Sequence, residues 1–246
     1  MKCTAFRLVV ALVASMILTW QVDPQSWTAV AEGWHPWYEV HVDPEDPRNI
    51  LICGSKWEFS RNALSGFVYR SADQGNTWRQ VLEDKNSDWV SEQSCAFGPH
   101  HTAYFLSEAS SVRGGEPNHH MGVSRLFIST NGGETWTDTL RMGWADWSTS
   151  TVNPITGGLV TFYHYSGDSG GPENYGSTIG VLTFGPDGKR AGGPFLNEEM
   201  RERNYRGVYP FAAVPLNDGT AGALYYGRRQ ALGRAAFDLG LIRFSK

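Results

Sequence analysis

The sequence predicts an all-β protein, a β-propeller of four-stranded antiparallel blades, with about four blades in the chain. Two repeats predict it. The segment Ser71-Ala72-Asp73-Gln74-Gly75-Asn76-Thr77-Trp78 returns 58 residues later as Ser129-Thr130-Asn131-Gly132-Gly133-Glu134-Thr135-Trp136. A strand end running into a turn recurs at His41-Val42-Asp43-Pro44, Ala96-Phe97-Gly98-Pro99 and Thr151-Val152-Asn153-Pro154, with 55 residues between successive prolines, and again at Ala213-Val214-Pro215-Leu216. Units of this length with four strand signals each have the size of a propeller blade.

In chain order, the first element is an export signal. Lys2 and Arg7 precede the apolar run Leu8 to Trp20, and Ala29-Val30-Ala31 offers a small-residue cleavage site. The run is short of the ~20 apolar residues a membrane helix needs. Residues 1–31 are therefore assigned to a signal peptide and 32–246 to the propeller, in a secreted or periplasmic protein with no membrane span in its mature chain. Cys3 falls in the signal, leaving Cys53 and Cys95, which form either one disulfide or two buried thiols.

Each eight-residue repeat follows one strand-like run, Gly66 to Arg70 or Arg125 to Ile128, and precedes another, which makes it a hairpin turn. Its residues suit that role. Asp73 or Asn131 accepts hydrogen bonds from turn N–H groups; Gly75 and Gly133 supply positive φ; Trp78 and Trp136 pack back over the turn; Ser71 and Ser129 open the two copies. Second strands of the blades are expected at Ile50 to Cys53, Ala103 to Leu106, Leu159 to Phe162 and Ala223 to Tyr226. A degenerate third turn is expected at Phe184-Gly185-Pro186-Asp187-Gly188. The end, Leu241 to Lys246, reads as a strand leading into a further turn. The expectation is thus a fragment that stops before the ring closes, with four-bladed closure and closure by oligomerisation as alternatives.

The pattern Ser-x-Asp-x-Gly-x-x-Trp, complete at Ser71 to Trp78 and with Asn131 for the aspartate in the second copy, resembles the Asp box, or BNR repeat. The chain resembles sialidase-like secreted propellers over nearly all of its mature length. That resemblance implies a glycoside hydrolase acting on extracellular glycans, with exo-sialidase activity as the specific form. Asp boxes also occur in sortilin-like receptors, xyloglucan-degrading enzymes and photosystem assembly factors, so a non-catalytic glycan- or protein-binding propeller is the alternative. The Arg-Ile-Pro segment of sialidases is absent from the sequence.

The working face is expected where the loops are long: Ser55 to Ser65, Glu108 to Val123, His164 to Ser177 and Gly227 to Leu239, with the inter-blade links Asp84 to Gln93, Arg141 to Thr149 and Asn197 to Tyr209. Asp88, Glu92, Asp146 and Glu173 are the candidate acid–base carboxylates, because glycoside hydrolysis needs a carboxyl pair across the bond. Arg201, Arg203, Arg206, Arg228 and Arg229 are candidates to hold an acidic sugar. Trp57 and Trp144 are candidates to stack on a sugar ring. A net charge of −4 without a basic stripe argues against nucleic acid as partner. No organic cofactor is expected, calcium is not indicated, and His119-His120 are read as a surface pair rather than a metal site.

Overall fold

The computed structural model describes residues 37–58, 63–85, 89–113, 116–143, 146–165, 177–202, 205–231 and 234–245. The signal segment and its cleavage site lie outside them. The strands belong to one compact unit, Gly33–Lys246. Four antiparallel sheets follow one another along the chain. Blade one holds β1 (Trp37–Val42), β2 (Ile50–Glu58), β3 (Ala63–Ser71) and β4 (Arg79–Asp84). Blade two holds β5 (Trp89–Phe97), β6 (Ala103–Arg113), β7 (Glu116–Ser129) and β8 (Thr137–Gly143). Blade three holds β9 (Asp146–Val152), β10 (Leu159–Tyr165), β11 (Thr178–Phe184) and β12 (Arg190–Leu196). Blade four has three strands among the described residues, β13 (Tyr205–Pro215), β14 (Ala221–Ala231) and β15 (Arg234–Phe244).

Within each blade the strands pair in chain order, and the first strands neighbour one another, β1 beside β5, β5 beside β9 and β9 beside β13. These are the inner strands around a common axis. The predicted propeller is the fold observed.

Three of the four expected long loops are corrected. β2 and β3 stay paired to Glu58↔Ala63, β6 and β7 to Arg113↔Glu116, and β14 and β15 to Ala231↔Arg234. Polar side chains in these arms mimic loop composition, yet antiparallel pairing satisfies the backbone whatever the side chains are. The links also shorten, since β5 begins at Trp89 and β9 at Asp146, and the third link carries the helix α1 (Glu198–Glu202). Asn197 starts that helix, its side-chain oxygen accepting the Met200 N–H at 2.9 Å.

The two repeated turns are built alike. Ser71 Oγ and Ser129 Oγ accept the N–H of Gly75 and Gly133 at 2.8 and 2.9 Å. Asp73 Oδ1 and Asn131 Oδ1 accept the N–H of Thr77 and Thr135 at 2.9 and 3.0 Å. The indole N–H of Trp78 and of Trp136 donates to the carbonyl of Gly75 and Gly133, at 2.9 and 3.0 Å, so each ring folds back on its turn. Asn131 serves in place of an aspartate by reversing one bond. Thr77 Oγ1 donates to Asp73 Oδ2 at 2.6 Å, whereas Asn131 Nδ2 donates to Thr135 Oγ1 at 2.9 Å. The third turn does lie between β11 and β12, but without the serine and tryptophan bonds: the Gly188 N–H donates to the Gly185 carbonyl at 2.9 Å, the Gly185 N–H to the Lys189 carbonyl at 2.8 Å, and Asp187 Oδ1 accepts the Lys189 N–H.

Counting rungs of paired residues from the short-turn end aligns the blades. The second rung is His41/Leu51/Arg70 in blade one, Ala96/Tyr104/Ile128 in blade two, Thr151/Val160/Thr183 in blade three and Val214/Gly222/Arg243 in blade four. Side chains alternate between the two faces of a sheet. Even rungs face the next blade, so Leu51, Cys53 and Val68 pack on Cys95, Phe97, Phe105 and Phe127 of blade two. Tyr104, Leu106, Leu126 and Ile128 pack on blade three, and Val160, Phe162 and Val181 on blade four. Cys53 and Cys95 are joined by a disulfide across the first seam, Cα atoms 6.4 Å apart. The second of the repeated turns seats on the preceding blade: the Gly132 carbonyl accepts from Asn49 Nδ2 at 3.0 Å and Arg70 Nε at 2.7 Å, and Arg70 Nη1 pairs with Glu134 at 2.8 Å.

The same seam holds a pH-sensitive contact, His101 Nδ1 to Asp43 Oδ2 at 2.8 Å. Burial pushes the Asp43 carboxyl up, but bonds from His101, the Glu45 N–H and Asn49 outweigh it and hold the pKa below its usual value of 3.8. Asp43 in turn raises His101 above 6.5. The aspartate's contribution is present above its unfolded pKa and lost as pH falls through the folded one. The histidine's is complete below its unfolded pKa and lost as pH rises through the folded one. The melting-temperature difference between the protein and a His101→Gln variant is therefore expected to peak near ~pH 5 and fade above ~pH 7. A difference that stays flat across that range would show that the imidazolium contributes nothing.

Candidate functional site

The ends of the inner strands opposite the glycine-bearing turns share one unusual backbone feature. In β5 the register to β6 shifts between Val90 and Gln93, in β9 to β10 between Asp146 and Thr149, and in β13 to β14 between Tyr205 and Gly207. In each case the inner strand carries one residue more than its partner, which is a β-bulge. The bulges place Glu92, Asp146 and Arg206 at matching ends of three consecutive inner strands. The sequence had singled out all three, as two acid–base candidates and one cationic candidate. Their side chains lie outside the described residues.

Trp147 occupies the bulge in β9 with φ of 50°. A left-handed conformation at a bulge normally belongs to glycine, and a bulky side chain there costs about 1–3 kcal/mol. The distortion brings the indole to 5.0 Å from the Tyr209 ring, centroid to centroid. Tyr209 stacks on His164 at 4.6 Å and 17°, and lies 5.1 Å from Tyr226. The His164 ring is buried and donates from Nδ1 to the Val208 carbonyl at 2.7 Å; since a carbonyl only accepts, Nδ1 carries the proton. Burial lowers its pKa against that bond, so the ring is neutral near pH 7. The Ser148 N–H, next after the strained tryptophan, donates to the buried carboxylate of Glu108 at 3.2 Å. A hydroxyl chain, Ser94 to Ser150 at 2.5 Å and Ser150 to Thr161 at 3.0 Å, links β5, β9 and β10 beneath the bulges.

The remaining candidates among the described residues lie off the inner strands. Arg201 lies on α1 and is paired with Glu198 at 3.1 Å. Arg228 is exposed on β14, opposite Gly207 in the pairing, and Arg229 follows it in the chain opposite Tyr205. Trp57 is half-buried near the tip of the β2–β3 hairpin, paired with Leu64. Asp88, Trp144, Glu173 and Arg203 fall outside the described residues, as do the side chains of Arg229 and of His119-His120. Tyr205 gives its hydroxyl to Asp238 at 2.7 Å. Glu39, His41 and Cys95 come together, but the Cys95 sulfur is spent in the disulfide and the Glu39 carboxylate accepts from the Cys95 N–H and His41, an arrangement that does not present a thiolate to a metal. Trp147, Tyr209, His164 and Glu108 were not among the sequence's site candidates. The recurrence of a tryptophan at the start of inner strands, Trp37, Trp89 and Trp147, was the available signal for the first.

No family model and no curated protein matches the chain. Among solved structures, the likeness is to propeller proteins. A protein of unknown function from Dyadobacter fermentans is similar at a TM-score of 0.50 and 17% identity, over 79% of this chain and 50% of that one. An α-L-arabinanase from Penicillium chrysogenum, solved with arabinobiose, is similar at a TM-score of 0.50 and 15% identity, over 89% of this chain and 64% of that one. The NanB sialidase of Streptococcus pneumoniae is similar at a TM-score of 0.42 and 12% identity, over 71% of this chain and 25% of that one, a likeness too slight to bear on activity. The chain thus spans half the length of the first of these and a quarter of the sialidase. At such identities the likeness establishes the fold.

Proposed function

We propose that this chain is an exported Asp-box propeller that binds extracellular glycans at the bulged ends of its inner strands and hydrolyses them there. The observation that carries the reading is the series of bulges, which puts Glu92, Asp146 with Trp147, and Arg206 at matching ends of three consecutive inner strands. Bulges re-aim side chains and recur beside active sites, and a strained residue points the same way. Glu92 and Asp146 are the carboxyl pair, one protonating the departing glycosidic oxygen while the other activates water or attacks the anomeric carbon. Arg206 suits a sugar carboxylate, so an acidic sugar such as a sialoside is the first substrate class, with arabinosides second from the arabinanase likeness. The indole of Trp147 supplies a flat apolar face for a sugar ring. The matching hydrogen bonds of the two Ser-x-Asp/Asn-x-Gly turns support the Asp-box family, and the Cys53–Cys95 bridge supports an oxidising compartment.

The test is a panel of sialosides and arabinosides, read for binding by calorimetry and for release of the aglycone. Glu92→Gln and Asp146→Asn are expected to abolish release while leaving binding within a few-fold. Trp147→Ala is expected to weaken binding about tenfold, a loss of ~1.4 kcal/mol. Binding without release would leave a glycan-binding propeller. If no sugar on the panel binds, or Trp147→Ala binds as tightly as the parent, the site is misplaced.

A further inference from the structure

The disulfide of the first seam has metal-ligating neighbours. His41 and Glu39 lie two residues apart on β1, on the even rungs that face blade two, and Glu39 is paired directly with Cys53 of β2. Cys95 comes from β5, the neighbouring inner strand. The donor atoms of Glu39, His41 and Cys95 all lie within 4.8 Å of one another, and the Cys53 sulfur is bonded to that of Cys95. Two sulfurs, an imidazole nitrogen and a carboxylate oxygen thus converge from β1, β2 and β5.

The strands hold these donors close to the spacing that an ion needs. Glu39 Oε2 accepts the Cys95 N–H at 3.1 Å and lies 3.2 Å from His41 Nε2. In a tetrahedral zinc site, with Zn–S of ~2.3 Å and Zn–N or Zn–O of ~2.0–2.2 Å, neighbouring ligand atoms lie ~3.3–3.8 Å apart. The nitrogen–oxygen edge is already near that length, and the sulfur–sulfur edge is reached by opening the covalent bond. The bond from the Cys95 N–H orients the Glu39 carboxylate, as outer partners do for metal ligands. Both cysteines are fully buried, whereas the side chains of His41 and Glu39 are 28% and 25% exposed. An ion therefore has a way in on the side of the histidine and the glutamate.

We propose that the dithiol form of this seam is a zinc site, with thiolates from Cys53 and Cys95, a nitrogen from His41 and a carboxylate oxygen from Glu39. The bridged form offers no thiolate to a metal; the opened form offers two. Thiolate and imidazole donors select zinc over calcium or magnesium, which take oxygen ligands. A reducing dithiol opens the bridge by exchange: it passes two electrons and two protons to Cys53 and Cys95, which end as thiols, and leaves with its own sulfurs joined. Zinc then displaces those two protons, and the two thiolates balance its charge. Bridge and ion exclude each other, because both require the same sulfurs. The first seam is thus tied in either redox state, by a covalent bond when oxidised and by a metal when reduced, and oxidation expels the ion.

The test uses the full chain opened with a phosphine, which ends as its oxide with oxygen taken from water. The reduced chain is expected to bind zinc in equimolar amount, counted by competition with a chromogenic chelator, and the bridged chain none. Cobalt in place of zinc is expected to show thiolate-to-cobalt charge transfer and the intense visible bands of a tetrahedral ion. Bound zinc is also expected to slow the return of the bridge in air, followed by thiol titration. A reduced chain that takes no zinc overturns the proposal, and so does equal uptake by the bridged chain, which places the ion elsewhere on the surface.

His41→Ala and Glu39→Gln separate a built site from a pair of loose thiols. Both keep the cysteines, and both are expected to retain the parent's circular dichroism. Each is expected to weaken zinc by at least ~10-fold, the loss that follows even from disturbing a partner outside the ligand shell. If the reduced chain holds zinc as tightly with either change as without it, the thiols bind the ion without the fold's help and the proposal falls. None of these readouts depends on sugar binding, so their failure leaves the glycan site untouched.

Discussion

Replacing Cys53 and Cys95 together with alanine is expected to lower the unfolding free energy by about 4 kcal/mol, the largest single loss this fold should show from a covalent change. The bridge closes a loop across a sequence separation of 42 residues and ties β2 of blade one to β5 of blade two. In the chain-entropy description that loop length alone sets the magnitude, because the cross-link removes freedom from the unfolded chain. Both sulfurs sit in the packed first seam with Leu51, Val68, Phe105 and Phe127, so the alanine pair adds a small packing loss. For a domain of this size the shift in melting temperature is about 10 °C, readable by calorimetry with and without reductant. A shift of the same size on adding reductant to the parent, and none in the double variant, assigns the effect to the bond. A double variant that melts with the parent would mean the seam holds without it.

How far the sequence foretold this structure depended on whether the signal was local. The turn at Ser71 to Trp78 was legible because serine, aspartate, glycine and tryptophan satisfy one another within eight positions, and the second copy repeats the bonds. The strand order followed from the repeat alone. The hairpin arms through Ser55 and Glu108 were hidden, since their polar side chains look like loop while their backbones complete a sheet. The two cysteines were visible as a pair, yet only the rung alignment brings them across one seam.

The site was half legible. Glu92, Asp146 and Arg206 could be named as chemically able groups, but a bulge is a single surplus residue in one strand of a pair and has no signature unless glycine occupies it. Trp147 takes that position instead, which disguises both the bulge and the aromatic stack that leads through Tyr209 to Tyr226. Long-range partners were beyond reading altogether. Nothing near Glu108 in the chain announces that its carboxylate will accept the N–H of Ser148, 40 residues on, in another blade.

The second large effect lies in such a long-range group. Arg125 is buried on β7, donating from Nη1 to Asp84 of blade one and from Nη2 to Asp138 on β8, with its guanidinium 4.9 Å above the Phe127 ring. Asp84 is also buried, and its other oxygen accepts from Ser107 Oγ at 2.8 Å. Arg125→Met keeps most of the side-chain volume and removes the cation, which takes from the buried Asp84 carboxylate its guanidinium partner in the seam. Stranding one member of a buried pair costs ~3–5 kcal/mol, and that is the loss expected in urea unfolding. The pair itself is worth much less, because desolvating two charges consumes most of what their attraction returns. Asp84→Leu added to Arg125→Met is therefore expected to recover a large part of the stability rather than to deepen the loss, giving a coupling energy of several kcal/mol in the cycle. If the two losses simply add, the carboxylate and the guanidinium act independently, and the seam is held there by packing on Phe127 and not by the pair.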